Sequence, residues 1–477
     1  MKLSTKVAYN TIIQIISKFT ATALGLVVVG ILTRYLGQAG FGKYTTIMAF
    51  LSLFGIMADL GLTLVTAQMV SEPGADQQKI LNNLFSIRFF SALILLGIAP
   101  LVVLLFPYEA NVKWGVLIGA FSFLFISLNQ ILVGFFQNRL RMDKVSISEV
   151  VGRLVLVLGV ILVAYFSWGL LGAMVAIVIA NGINFLLHFS FAQKFIKIRF
   201  RFDWSYWITI LKKSWPLAAT IVLNLVYLKG DILILSLIDS QKDVGLYGAS
   251  YKVIDVVVMI PFIFAGILLP IITSAWANKE KERFEDIVQR GFNYMAILAL
   301  PLVVGAQFLS QQIMEIVAGK DFFMSGEILQ ILVWAAFFVF LAAIFSHAII
   351  AINKQKKVIW AYVLTSVTSL AGYFIFIPKY SYYGAAWMTV YSEALIFILV
   401  LYCLWKYTRY LPKLGIFFKS LLASLAMGVL LLYLPASYYS SILGLCLTLL
   451  GAMVFYFLVL SLLGGISREE ANYILNK

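Results

Sequence analysis

Stretches of about twenty mostly apolar residues recur along the whole of this 477-residue chain, and no other feature constrains its fold so tightly. A helix crossing the hydrocarbon of a bilayer needs that length, and it must satisfy its own backbone polar groups because lipid offers them no partners. Fourteen such spans can be counted, at 12–33, 43–66, 81–106, 114–137, 146–166, 168–190, 215–238, 246–272, 291–317, 327–352, 358–377, 384–405, 415–435 and 441–464. Composition agrees: 62% of residues are hydrophobic, 12% are charged and the mean hydropathy is +0.98, where soluble domains run about half apolar and a quarter charged. The fold class is an all-α integral membrane protein. No small-residue cleavage site follows the first apolar run, so that helix is expected to stay in the membrane. Cys403 and Cys446 lie inside apolar runs, which argues for no disulfide and no metal site, and no cofactor is expected.

Charge sets the orientation. With the N-terminus in the cytoplasm, the inner segments hold 25 Lys and Arg and the outer segments six, an asymmetry that recurs loop after loop. The positive-inside rule then places both termini in the cytoplasm. The net charge of +15 is spread between spans, not gathered on one soluble face, so it points to lipid head groups and not to nucleic acid. The longest polar segment, 191–214, carries six Lys and Arg interleaved with Phe195, Ile198, Phe200, Phe202, Trp204 and Trp207. It reads as a basic linker lying along the inner interface. The expected organisation is a six-span bundle at 1–190, this linker at 191–214, a second six-span bundle at 215–405, and two further spans with a cytoplasmic tail at 406–477.

The two bundles echo each other. Leu36-Gly37-Gln38-Ala39-Gly40-Phe41-Gly42-Lys43-Tyr44 follows the first span and Asp239-Ser240-Gln241-Lys242-Asp243-Val244-Gly245-Leu246-Tyr247 follows the seventh, each a polar outer turn closed by Gly-x-Tyr. Both halves start from the same side, so the repeat is parallel, about an axis along the membrane normal. No phosphate-cradling Gly-x-x-x-x-Gly-Lys-Ser/Thr loop, His-Glu-x-x-His or Gly-x-Ser-x-Gly occurs, and the outer loops are too short for an external catalytic domain. The chain reads as a transporter that does not hydrolyse ATP, not as an enzyme. His188 and His347 read as helix-end residues, and Pro261, Pro270 and Pro301 mark places where a span can kink.

Charged side chains inside spans are costly and usually face an interior pathway. In the first bundle these are Lys18, Asp59, Arg88, Glu149 and Arg153, all within roughly two turns of the inner side. Glu149 and Arg153 stand i,i+4 in the favourable acid-before-base order, and Asp59 and Arg88 lie at similar depth on consecutive spans. In the second bundle Lys229 and Asp231 lie level with Lys252 and Asp255 near the outer side, which permits cross-helix pairs. Glu393 is the lone acid near mid-membrane and the best candidate for a proton-titrating group.

The stretches 10–72 and 215–270 resemble bacterial polysaccharide flippases of the multidrug, oligosaccharidyl-lipid and polysaccharide exporter superfamily. The resemblance is carried by the 36–44 turn, Ala58-Asp59-Leu60-Gly61-Leu62, Trp215-Pro216-Leu217-Ala218, Asp231, Val244-Gly245-Leu246-Tyr247 and Leu269-Pro270. It implies two six-helix bundles in a V around a cavity of alternating access. The substrate it implies is an undecaprenyl-pyrophosphate-linked oligosaccharide, moved from the cytoplasmic to the outer leaflet of a bacterial plasma membrane for surface polysaccharide assembly. Polysaccharide polymerase and assembly proteins would be its partners, with membrane lipids around it. Lys18, Arg88, Arg153, Lys229 and Lys252 are where this sequence would supply cations to the carrier phosphates. Asp59, Glu149, Asp231, Asp255 and Glu393 would pair with them or couple an ion. A lipid-II flippase and a cation-coupled multidrug exporter share the architecture, and a membrane glycosyltransferase or polymerase is the reading from another class.

Overall fold

The computed structural model describes residues 3–59, 61–62, 69, 76–439 and 441–465, the side chains of 3–9, 11, 213, 215–228, 436 and 437 excepted. The Trp215-Pro216-Leu217-Ala218 side chains, residues 63–66 of the second expected span, and the tail with Arg468 and Lys477 therefore lie outside the described residues. The helices are α1 (Leu3–Asp59), α2 (Gln77–Val102), α3 (Ala110–Asn138), α4 (Met142–Tyr165), α5 (Gly169–Gln193) and α6 (Trp204–Ile238), followed by α7 (Gln241–Ala277), α8 (Lys281–Ala318), α9 (Ser325–Ala351), α10 (Ile359–Thr408), α11 (Gly415–Tyr433) and α12 (Ile442–Leu462). No strand occurs among the described residues. Among the described residues eleven helical segments are long and apolar enough to cross a membrane. Two of them contain a bend, at Gly37 in α1 and Ser381 in α10, so each joins two of the expected spans. Each bend is made at a single residue of positive φ, 64° at Gly37 and 51° at Ser381, which redirects the chain without a loop. Past Ser381 the chain folds back on itself, since a Cβ on Gly384 would stand 2.4 Å from Phe376 O and one on Gly372 2.1 Å from Met388 Cε. Pro261, Pro270 and Pro301 sit inside α7 and α8 without ending either helix.

The chain divides into two compact units, Met1–Gly248 and Ala249–Lys477, so the basic linker lies wholly inside the first. In that unit glycines let helices approach closely in lipid, where packing and not water exclusion drives association. Gly115 and Gly119 of α3 lie against Ile47 and Leu51 of α1 and Met174 of α5. The echoed turns also meet: a Cβ on Gly42 would lie 1.6 Å from Gln241 O, and one on Gly245 would lie 2.0 Å from Gln38 O. Each turn thus offers a Gln carbonyl to the glycine four residues along the other turn, and Tyr247, which closes the second echo, donates to Asp231 Oδ2 at 2.6 Å.

The linker is stitched to α2. Arg199 N donates to Asn82 Oδ1 at 3.0 Å, Arg201 N to Ser86 Oγ at 2.9 Å, and Trp207 Nε1 to Asn83 Oδ1 at 3.0 Å. Ile196 and Ile198 are buried among Leu81, Phe135 and Phe136, while Phe202 and Trp204 remain exposed. In the second unit, α11 and α12 pack on α8 through Leu309, Met427, Leu431 and Tyr456, with Tyr456 Oη donating to Ile297 O at 2.8 Å.

Candidate functional site

Four helices of the first unit leave a cavity of about 560 Å³ between them. α1 contributes Gln14, Ser17 and Lys18; α3 Asn129, Gln130 and Gln137; α4 Ser146, Glu149, Gly152 and Arg153; and α5 Asn181, Asn184 and His188. The lining residues of each helix recur at three- or four-residue steps, as Gln130, Gly134 and Gln137 do on α3, so each helix turns one stripe inward that carries its polar side chains. Ser146 Oγ donates to Ser17 Oγ at 2.8 Å and Met142 N to Asn10 Oδ1 at 2.8 Å, which ties the start of α4 to α1. Asn181 Nδ2 donates to Ser122 Oγ at 2.9 Å and so fixes α5 against α3.

Three of the ionisable residues expected from the sequence meet here: Lys18, Glu149 and Arg153. Glu149 and Arg153 do not form the expected i,i+4 ion pair, and among the described residues neither of them, nor Lys18, makes a hydrogen bond or ion pair. Two cations and one anion are thereby left to act on whatever enters. His188, five residues from the end of α5, is 2% exposed, and its Nδ1 lies 3.0 Å from Asn184 O. A carbonyl only accepts, so Nδ1 is the donor and Nε2 of the neutral ring is an acceptor. Nε2, Asn129 Oδ1 and Asn184 Oδ1 are buried without a partner among the described residues. Sequence reasoning passed over these amides because an uncharged side chain barely marks an apolar span. Their signal was the spacing Asn181, Asn184, His188 along one face of α5.

Arg88 takes a different place. It is fully buried, and its guanidinium donates to Asp59, to Gln130, to Ser127 O at 3.0 Å and to Ala58 O at 3.4 Å. It does not line the cavity but holds Gln130, which does. Matching depth along the helices was right for Arg88, but depth leaves open which neighbour a side chain faces. Asp231 is buried and takes the Tyr247 hydroxyl and Ile232 N, at 2.6 and 2.7 Å. Lys252 pairs with Asp255 on its own helix at 3.7 Å. Lys229 is half-buried on α6.

Glu393 lies in the second unit. It is 7% exposed and makes no hydrogen bond or ion pair among the described residues. The contacts of Gly372 with Met388 and Gly384 with Phe376 set the register of the two arms of α10, which brings Glu393 to a height between Thr365 and Ser369. The hydroxyls of Ser369 and Thr365 are likewise buried and unpartnered among the described residues.

Residues 7–276 match the family model for "Polysaccharide biosynthesis protein". The chain belongs to the polysaccharide biosynthesis protein family. A second model, "Lipid II flippase MurJ", matches residues 255–456 of this family member. Among curated relatives, a "Putative O-antigen transporter" of Shigella flexneri is 23% identical over 84% of this chain and 97% of its own. A "Probable low-salt glycan biosynthesis flippase Agl15" of Haloferax volcanii is 23% identical over 76% and 75%. The fold is that of the lipid II flippase MurJ in an inward closed conformation, with a TM-score of 0.77 at 18% identity over 98% of this chain and 100% of that one. An inward-facing multidrug MATE transporter of the MOP superfamily aligns with a TM-score of 0.69 at 12% identity over 84% and 98%. This polysaccharide biosynthesis protein is a membrane transporter rather than an enzyme.

Proposed function

We propose that the protein flips an undecaprenyl-pyrophosphate-linked oligosaccharide from the cytoplasmic to the outer leaflet of a bacterial plasma membrane, by alternating access, for surface polysaccharide assembly. The observation that carries this reading is the cavity in which Lys18 and Arg153 stand unpaired beside a wall of carboxamides. A pyrophosphate is an acceptor-only dianion that suits a guanidinium fork and an ammonium, and sugar hydroxyls supply the donors that Asn129, Asn184 and His188 lack. The names of the relatives, an O-antigen transporter and a glycan flippase, support the same substrate class. Export of cationic drugs is disfavoured because the cavity holds two cations to one acid. A polymerase and other assembly proteins that use the flipped product would be its partners, and both termini would face the cytoplasm.

Transport of a fluorescent lipid-linked oligosaccharide into proteoliposomes tests the reading. Arg153→Ala should lower the rate by about tenfold or more, the value of one hydrogen bond to a charged group, and Arg153→Lys should restore it only in part because an ammonium lacks the bidentate fork. Lys18→Ala should act in the same direction. Unchanged transport in all three variants would remove the cavity from the pathway.

A further inference from the structure

His188 of α5 is almost wholly buried, yet it lines the polar cavity. Its Nδ1 turns back on its own helix to donate to Asn184 O at 3.0 Å. The two nitrogens point to opposite sides of the ring, so Nε2 points away from α5, and it has no partner among the described residues. The packing of α4 on α5 shows what it stands beside. A Cβ on Gly152 would lie 2.9 Å from Asn184 Cβ, and one on Gly159 3.1 Å from Ala176 Cβ, so the two helices run antiparallel. One turn beyond Asn184, His188 therefore stands opposite the turn of α4 that bears Glu149. Ser146 Oγ donates to Ser17 Oγ at 2.8 Å, which puts Lys18 beside the same turn.

Three acceptors of this wall lack donors, and they are not equivalent. Asn129 Oδ1 and Asn184 Oδ1 stay acceptors whatever binds, whereas an imidazole nitrogen becomes a donor by taking a proton. Charge requires such a proton. Lys18 and Arg153 against Glu149 leave the empty cavity with one positive charge in excess, and a pyrophosphate diester brings two negative charges. The filled cavity would then hold one negative charge in excess inside the membrane, where uncompensated charge is costly. The remaining charged groups around His188 do not supply the balance. Arg141 and Lys144 pair with Asp143 at the start of α4, Arg139 at the end of α3 donates to Gln77, and Arg88 is held by Asp59. Lys194 lies over the ring of Phe191, and Lys197, Arg199 and Arg201 of the linker are exposed.

We propose that His188 contacts the substrate and takes up one proton with each pyrophosphate: the proton binds Nε2, which then donates to a phosphate oxygen while Nδ1 keeps its bond to Asn184 O. The proposal rests on the flippase reading above. A hydronium ion gives its proton to the Nε2 lone pair as the substrate enters, and water takes the proton back as the substrate leaves. Hydroxyls of the glycan are left to Asn129 and Asn184. A hydroxyl donating to a neutral Nε2 is the alternative, and it takes up no proton.

The protein in nanodiscs is titrated with one glycan on two carriers, undecaprenyl pyrophosphate and undecaprenyl monophosphate. The range is about pH 5 to 8, where histidine alone among unperturbed side chains changes charge. Calorimetry in two buffers of different ionisation enthalpy counts the protons taken up. The pyrophosphate carrier should bring nearly one proton with it. Its bound form then holds one proton more than the free form, so affinity should fall as pH rises, by up to about tenfold per unit. The monophosphate carrier has one negative charge fewer, leaves the cavity balanced and should bring none. His188→Gln keeps a polar side chain that cannot titrate, so it should bind the pyrophosphate carrier with no proton uptake and a flat pH profile. Equal uptake with the two carriers, no uptake with either, or uptake that persists in His188→Gln overturns the assignment while the flippase reading stands. His188 and His347 are the only histidines of the chain, so the imidazole nitrogen NMR signals of the unaltered protein, assigned with His347→Gln, decide the matter even if His188→Gln does not fold. Nε2 of His188 should change from bare to protonated when the pyrophosphate carrier binds, and an unchanged signal overturns the proposal. Failure of the unaltered protein to bind either carrier at any pH defeats the flippase reading and this inference together.

Discussion

Arg88 and Arg153 look alike in the sequence, each a lone base in an apolar span, and the structure gives them opposite work. Arg88 is fully buried and its donors are taken by Asp59, Gln130 and two backbone carbonyls. Arg153 is exposed on the cavity wall with no ion pair. Removing Arg88 alone strands a buried carboxylate, a change that typically costs about 3–5 kcal/mol, so Arg88→Ala should lower the unfolding temperature or the yield of inserted protein. The double variant Asp59→Asn/Arg88→Gln removes both charges and keeps polar groups in place, so it should recover most of that loss while Arg153→Ala leaves folding intact. Thermal unfolding in detergent, read beside transport, checks the distinction. A double variant as unstable as Arg88→Ala would mean that the pair is not what Arg88 holds together. Glu393 poses the converse case, since a buried carboxylate with no partner is costly by itself. Glu393→Gln should therefore keep or raise stability. If Glu393 couples a proton or sodium gradient to transport, the same variant should lose its response to an imposed gradient in nucleotide-free vesicles. A full response in Glu393→Gln would exclude the residue from coupling.

Among the elements, the two echoed turns are where a small change should matter most. Gly42 and Gly245 meet the opposite backbone so closely that an added Cβ would overlap a carbonyl oxygen. Gly42→Ala and Gly245→Ala should each force the turns apart and cost about 1–3 kcal/mol, as overpacking does. Gly97→Ala on α2 meets nothing within 4 Å and should be neutral or slightly stabilising, so the three variants compared by thermal unfolding separate contact from helix propensity. The echo itself was legible as Gly-x-Tyr at matching places, but a sequence cannot say that two matching turns touch. Apolar runs gave the helices because span length is fixed by the bilayer. The sharp bends at Gly37 and Ser381 were read as loops because only φ distinguishes one turning residue from several. At the site, Lys18, Glu149 and Arg153 were legible because a charge in an apolar run is conspicuous. Asn129, Asn184 and the inward face of His188 were not, since their importance lies in the partners they lack.

At the scale of the whole molecule, the distribution of 25 Lys and Arg on one side against six on the other is an orientation written into every loop. Residue 200 lies between α5 and α6, 285 in the first turns of α8, and 410 between α10 and α11, and all three should face the cytoplasm. Residue 110 opens α3, 242 opens α7, and 380 adjoins the Ser381 bend, and these should face outside. Reporter fusions at the six positions check the scheme, with alkaline phosphatase active only outside and a fluorescent protein bright only inside. Position 242 carries the most information because it lies between α6 and α7 and so tests the expected spans 215–238 and 246–272 together. If α6 crosses, 200 and 242 must report opposite sides. If instead both report the cytoplasm, α6 is no span, the parallel relation of the two echoed turns is lost, and the Lys and Arg of the second half would have to be assigned to the two sides again.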